Sequence, residues 1–277
     1  MTAVSTEDFT FVADFLRKRA AISIGPGKEY LVESRLGPLA RDIGYDDVNA
    51  LIGELRRPVP NPVVRDRVVE AMTTNETSFF RDAHPFEAMR TELVPEVLKR
   101  NAGVRRLSVW SAASSTGQEL YTIAMLLDTN FPELANWTVN LYGTDLSTDV
   151  LARARAGRFS PLEVNRGLPA PMLVRYFDRR GSEYEIDAKL RNWCRFEQMN
   201  LADPWPALPL FDIVFCRNVL IYFDVPVRQR ILEKIQRSLA PGGCLILGGS
   251  ETTIGVVDGY TPARIGNTVV YRVEASR

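Results

Sequence analysis

From about residue 105 onward the chain alternates short β-rich apolar runs with helical stretches. This rhythm constrains the fold more than any other feature. The runs are RLSVWSAA (106–113), TVNLYGTD (138–145), RFEQMN (195–200), FDIVFCRN (211–218), CLILGGS (244–250) and TVVYRVE (268–274). Helical segments at 118–128, 147–156 and 226–239 lie between several of them. Near-continuous apolar strands alternating with helices predict an α/β fold, a mostly parallel sheet covered on both faces. The last run follows Gly266-Asn267, so it is expected to pair as a hairpin and add an antiparallel strand.

One interval breaks the rhythm. Residues 157–194 are too long and too polar for a single βα unit. They hold a helix-like piece, Ala170–Phe177, and then RRGSEYEID, a turn followed by alternation, which reads as a small inserted β-subdomain. Residues 1–75 read as an all-helical N-terminal domain, in which Phe9, Phe11, Val12, Phe15 and Leu16 recur at helical spacing. In the next helix Tyr30, Leu31, Ser34 and Leu39 are expected near one face, with Lys28, Arg35 and Arg41 facing solvent. Three prolines in RRPVPNPVV (56–64) mark a break, with a further helix after Pro62. The expected division is therefore 1–75, a linker and motif segment at 76–104, and an α/β domain at 105–277 carrying the insert at about 157–194.

Composition narrows the chemistry. A chain of 277 residues, 45% apolar and 25% charged, is ordinary for globular domains and long enough for two. The 34 basic and 34 acidic residues cancel, so no overall attraction to nucleic acid or to an anionic membrane is expected. By segment, residues 75–152 hold 6 basic and 10 acidic groups, and residues 153–195 hold 10 and 5. The single histidine, His84, rules out a zinc site built on several histidines, and no metal is expected. Cys194, Cys216 and Cys244 form no CxxC pair, which fits a reducing cytoplasm. The N-terminus carries acids where a signal peptide would carry lysines, and no apolar run reaches membrane-spanning length.

Open α/β sheets bind ligands at the carboxyl ends of their strands. After the first strand stands AASSTGQEL (112–120), small and polar with one glycine before a helix. It suits close backbone approach to a ligand, but it is neither GxGxxG nor a phosphate loop, and an ordinary βα turn is the other reading. Asp145 ends the second strand, where a carboxylate grips a ribose diol, or else caps the following helix. Met199 and Asn200 follow the third strand and suit an adenine, although a buried Met beside a turn Asn is common. Arg217, Asn218 and Tyr222 are polar groups in the apolar run after the fourth. A ribose site without phosphate clamps favours S-adenosylmethionine (SAM) over NAD or ATP, and the acidic balance of 75–152 suits a sulfonium.

These segments, together with AMTTNETSFFRD (71–82), WSAASSTGQELYTIAM (110–125) and LAPGGCLILGGSE (239–251), resemble the chemotaxis receptor methyltransferases of the CheR type. The order and spacing hold from Ile22 on. The resemblance implies a Rossmann-like SAM-dependent methyltransferase domain behind a helical domain. It implies methylation of glutamate side chains on the cytoplasmic helical domain of transmembrane chemoreceptors, by a monomeric cytoplasmic enzyme. Residue by residue, Asn75, Thr77 and Arg81 match the motif that closes over the cofactor. Glu119 matches the acid near its methionine part, Asp145 the ribose carboxylate, and Met199 and Asn200 the adenine side. Arg217 and Asn218 match the cofactor-proximal pair, and Arg81 and Tyr222 the residues facing the methyl group and the target. The first loop departs from the family pattern: Gln118 stands where a glutamate is common, and Leu120 where a proline is.

A glutamate nucleophile is about 99% ionised at pH 7, so no general base is needed and one histidine suffices. The other reading of Arg81 is an ion pair with Asp82 or Glu76. The hairpin segment DRRGSE is shorter than in relatives implied to dock a receptor's C-terminal pentapeptide, so independence of that tether is expected. The basic insert reads either as an attraction to an acidic receptor or as a solvated surface. A small-molecule O-methyltransferase and a non-catalytic SAM-binding regulator are the alternative functions.

Overall fold

The computed structural model describes residues 4–273; Glu274 of the last expected strand lies outside the described residues. The chain forms two units, one of residues 1–74 with 222–227, the other of 75–221 with 228–277.

The smaller unit is helical: α1 (Thr6–Ala20), α2 (Glu29–Asp42), α3 (Val48–Leu55) and α4 (Pro62–Ala71). Three of these starts carry a side-chain cap. Ser5 and Asp47 accept N–H groups of the first turns of α1 and α3, and Asn61 caps α4 with Pro62 at its first position. Helix α1 buries Phe9, Val12, Leu16 and Ala20. In α2 the expected face is corrected. The buried residues are Val32, Leu36, Leu39 and Ala40, while Tyr30 is 61% exposed and Ser34 is exposed. A helix starting at Glu29 repeats every three to four residues, and its large aliphatic side chains fall on 32, 36 and 39. Arg35 is not simply solvated: it donates to the carbonyls of Met72 and Thr73 at 2.7 and 2.9 Å and to the Thr74 hydroxyl at 2.9 Å.

The described residues of the larger unit hold ten strands: β1 (Arg106–Ala112), β2 (Thr138–Asp145), β3 (Arg158–Phe159), β4 (Phe177–Arg180), β5 (Glu183–Ile186), β6 (Cys194–Gln198), β7 (Phe211–Cys216), β8 (Leu239–Leu247), β9 (Tyr260–Ile265) and β10 (Thr268–Val273). Seven form one sheet in the order β6-β2-β1-β7-β8-β10-β9. The pairings from β6 to β8 are parallel, and β10 is antiparallel to both β8 and β9. The expected mostly parallel sheet and terminal hairpin are both present. Strand β8 begins five residues earlier than the sequence suggests. Ala240-Pro241-Gly242-Gly243 forms an irregularity, so Phe211 pairs with Leu239 but Ile213 with Cys244. Strand β9 carries Pro262, which an edge strand tolerates because one side of it makes no ladder.

The insert is a three-stranded antiparallel sheet in the order β3-β5-β4. Arg180 pairs with Glu183, leaving Gly181 and Ser182 as a two-residue turn. Phe79, Phe159 and Phe177 meet edge to face, with ring centroids 5.0–6.2 Å apart. Trp110 is fully buried under the main sheet, against Trp205 and Phe211, and its indole N–H donates to Thr144 Oγ1 at 3.0 Å. Among the described residues no helix is long and apolar enough to cross a membrane.

Candidate active site

The loops at the carboxyl ends of β1, β2 and β7 and the segment 75–83 converge within the larger unit. The first loop leaves β1 through Ala113 and Ser115, both at positive φ, and enters the helix Gln118–Asn130 at Gly117, φ +91°. A Cβ on Gly117 would come within 3.1 Å of both Ala154 and Phe196, so the turn needs glycine for conformation and for space. Ser115 N–H donates to Asp145 Oδ2 at 2.8 Å, and its hydroxyl donates to the Asn75 carbonyl at 2.8 Å. Asp145 is 7% exposed and also accepts the Ser147 N–H, while Ser147 itself caps the next helix. Gln118 is buried and accepts the Thr116 hydroxyl at 2.8 Å, so a neutral amide suits a place where an acid would lack water.

Arg217 is the hub. Its side chain is 3% exposed. It donates to Glu119 Oε2 at 2.8 Å, to Asp82 Oδ2 at 2.7 Å and to the Arg81 carbonyl at 2.9 Å. Glu119 also accepts the Ser111 hydroxyl at 2.8 Å. Phe80, Asp82 and Ala83 all have positive φ, so Arg81 sits inside a strained turn. Asp82 belongs to Arg217, and Arg81 reaches the main-chain carbonyl of Glu76 at 2.9 Å; the ion pair considered for Arg81 with Asp82 is not formed. The Glu76 carboxylate takes its hydrogen bond from Arg166, which holds its pKa down first, with the Arg166 and Arg81 charges adding to the effect.

The remaining sequence candidates are placed as follows. Thr77 and Asn75 are half-buried beside the turn in sequence. Met199 is buried, and its N–H donates to the Asp145 carbonyl. The Asn200 side chain closes a turn, accepting Ala202 N–H and donating to Asp203. Asn218 adopts φ +58°. Tyr222 ends a short 3-10 turn, Leu220–Tyr222, and belongs to the smaller unit, where its carbonyl accepts Ser23 N–H.

Sequence reasoning missed two residues that organise this edge. Asp82 pairs with Arg217, not with its neighbour Arg81. Glu251 accepts main-chain N–H groups from the loop after β7, and only its place in a glycine-rich motif hinted at a role. Several basic residues of the insert are paired within the chain. Arg153 pairs with Glu163, Arg191 with Glu185, Arg195 with Glu197, and Arg175 and Lys189 with Asp128.

The edge fits a nucleoside sulfonium. Backbone approaches closely at Gly117, a carboxylate ends β2, and the loop 112–119 contains no basic residue. Ser114 Oγ and Arg217 Nε are buried without a partner among the described residues, as polar atoms awaiting a ligand would be.

Sheet order and edge chemistry together define a SAM-dependent methyltransferase domain. A model of the CheR methyltransferase SAM binding domain matches residues 75–264, and one of the CheR methyltransferase all-alpha domain matches 7–73. The chain belongs to the CheR methyltransferase family. Chemotaxis protein methyltransferase 1 of Pseudomonas aeruginosa is 39% identical over 277 residues, covering 98% of this chain and all of that one. Chemotaxis protein methyltransferase Cher2 of Pseudomonas putida is 39% identical over 96% of this chain and 98% of its own. A chemotaxis protein methyltransferase of Vibrio parahaemolyticus is 37% identical over 99% of this chain and all of its own.

Proposed function

We propose that this protein methylates glutamate side chains on the cytoplasmic helical domain of chemoreceptors, forming glutamyl methyl esters. The observation that carries the reading is the Arg81 turn. It is strained, it presents a cation, and Arg217 fastens it to Glu119 of the first loop, so a carboxylate held by Arg81 is registered against the cofactor edge. Full-length similarity to chemotaxis methyltransferases supports the same substrate class.

When bound, SAM supplies an electrophilic methyl group on a sulfonium. In this reading Asp145 holds the ribose, and Met199 and Asn200 flank the adenine. Asn75 and Thr77, with Arg81, close over the cofactor, Glu119 lies near its methionine part, and Arg217 and Asn218 stand close to it. Arg81 orients the incoming carboxylate, and the Tyr222 hydroxyl donates to its non-attacking oxygen. The nucleophile arrives ionised, so no residue removes a proton from it. Alignment of carboxylate, methyl and sulfur lowers the barrier, an effect worth up to several kcal/mol. Arg81 must orient without gripping, because binding ground state and transition state equally gives no gain in turnover.

The two-residue turn between β4 and β5 supports independence of a receptor C-terminal pentapeptide tether, and we assign the protein to the cytoplasm as a monomer. The test is methyl transfer from labelled SAM to receptor-rich membranes, read as base-labile methyl ester. Label in base-stable product, or on small molecules alone, would refute the reading. A receptor pentapeptide bound at micromolar affinity would refute the tether claim.

A further inference from the structure

Glu251 lies just past β8, in Gly248-Gly249-Ser250-Glu251. Its carboxylate accepts four main-chain N–H groups. Oε2 takes those of Gly248 and Asn218, both at 2.8 Å. Oε1 takes those of Val219 at 2.9 Å and Leu220 at 2.7 Å. A carboxylate has about four acceptor sites, and here the backbone fills them. Three successive N–H groups turned to one point make an anion-binding nest, and this nest is filled by the protein's own side chain.

The arrangement ties two loops together. Strands β7 and β8 are parallel neighbours, with Cys216 opposite Leu247, and Glu251 joins the loops that leave them. Asn218 adopts φ +58°, a conformation that costs a non-glycine residue energy and needs an external hold. Gly248 permits the approach: a Cβ there would stand 2.7 Å from Glu251 Oε2 and 2.9 Å from Asn218 N. The held segment carries Asn218 and runs directly into the turn that ends at Tyr222.

We propose that Glu251 is a positioning residue for methyl transfer. It fixes the main chain from Asn218 to Leu220 and thereby the setting of Tyr222, without itself touching cofactor or carboxylate. The inference rests on the role given to Tyr222 above. Its charge matters more than its size. A glutamine at 251 would keep the volume but turn an amide donor toward amide donors, breaking about half of the nest.

The experiment compares wild type with Glu251→Gln. SAM affinity is measured by isothermal titration, kcat by methyl transfer, and amide hydrogen exchange at residues 218–220 by mass spectrometry or NMR. The expected result is at least a tenfold loss of kcat, SAM Kd within threefold, and at least tenfold faster exchange of those amides. Wild-type kcat in a variant whose amides exchange faster would overturn the proposal, as would unchanged exchange. Should Glu251→Gln not fold, wild-type exchange decides: protection of the three amides supports the nest, and rapid exchange refutes it. Tyr222→Phe separates the two readings. If Tyr222→Phe is impaired, adding Glu251→Gln should cost little more, since both act on one group. Wild-type turnover in Tyr222→Phe would sink the Tyr222 role, while a tenfold loss in Glu251→Gln would still show that the nest positions the loop.

Discussion

Arg217 reaches across from the end of β7 to Asp82, 2.7 Å from guanidinium nitrogen to carboxylate, and the same nitrogen also donates to the carbonyl of Arg81. The pair sits at a turn where three residues of four have positive φ. Strain of this kind persists only when the surroundings over-determine it. Asp82 thus contributes by keeping Arg217 aimed at the Arg81 backbone.

Asp82→Ala is accordingly expected to lower kcat at least tenfold, with SAM affinity changed less than threefold. Its cost to folding should stay under about 1 kcal/mol, because the Asp82 side chain is 46% exposed and Arg217 keeps Glu119 as a partner. Thermal melting, titration calorimetry and turnover on the same variant check all three. Wild-type turnover would show that Arg81 holds its position without the latch.

Arg81→Ala and Tyr222→Phe should reduce turnover by about a hundredfold and tenfold respectively, with SAM affinity changed far less. Those losses correspond to about 2.7 and 1.4 kcal/mol of transition-state stabilisation. Steady-state kinetics at saturating SAM, alongside calorimetric Kd values, separates the two effects. Equal losses in affinity and turnover would move both residues into the cofactor site.

Asp145→Ala should act the other way. The carboxylate already holds Ser115 and Ser147 N–H groups, so its loss both removes the proposed ribose contact and loosens the first loop. Hydrogen bonds to a charged group are worth about 1.5–3 kcal/mol, so SAM affinity should fall roughly ten- to a hundredfold. An unchanged Kd would leave Asp145 a loop-holding residue alone.

Much of this edge was legible in the sequence because its chemistry is local. Gly117 before a helix and Asp145 at a strand end each announce themselves within a few residues. Asp82 and Glu251 do not. Their partners are 135 and up to 33 residues away in the chain, and an acidic side chain gives no sign of whether it meets water, a guanidinium or backbone amides. The start of β8 was hidden for another reason: Leu-Ala-Pro-Gly-Gly reads as a loop, yet pairing with β7 resumes around an irregularity. In α2 Leu39 alone of the expected face is buried, because a helix starting at Glu29 turns Val32, Leu36 and Ala40 inward with it.

Asp212 shows a buried carboxylate used for stability rather than chemistry. It is 4% exposed and accepts from Arg100 at 2.7 Å, Asn101 at 2.9 Å and the Ser108 amide at 2.8 Å, near the end of β7 remote from the site. Removing it takes an acceptor from three donors, one of them charged, although Arg100 keeps the Gly242 carbonyl and Asn101 the Arg106 carbonyl. Asp212→Ala should cost about 3 kcal/mol of folding stability with kcat per folded molecule unchanged. Chemical denaturation measures the first quantity and active-site-normalised turnover the second. A loss below 1 kcal/mol would mean that water replaces the carboxylate.

Asp128 gives the pH prediction. It lies in the last turn of the helix Gln118–Asn130, where it accepts from Lys189 at 2.5 Å, Tyr176 at 2.8 Å and Arg175 at 3.3 Å. Burial pushes its carboxyl up, but the hydrogen bonds of Lys189 and Tyr176 and the charges of Lys189 and Arg175 outweigh that, and the pKa lies below its ordinary 3.8. A depressed carboxyl stabilises the fold fully above the unfolded value, and that contribution disappears as pH falls through the lower folded one. The melting-temperature gap between wild type and Asp128→Asn should therefore be constant from pH 7 to about 5 and close below about 4. At neutral pH the gap should be several degrees, since roughly 1–2 kcal/mol shifts a unit of this size by about 2–8 °C. A gap that widened on acidification would require the carboxyl to be raised instead, and would remove Asp128 as the anchor of the basic insert.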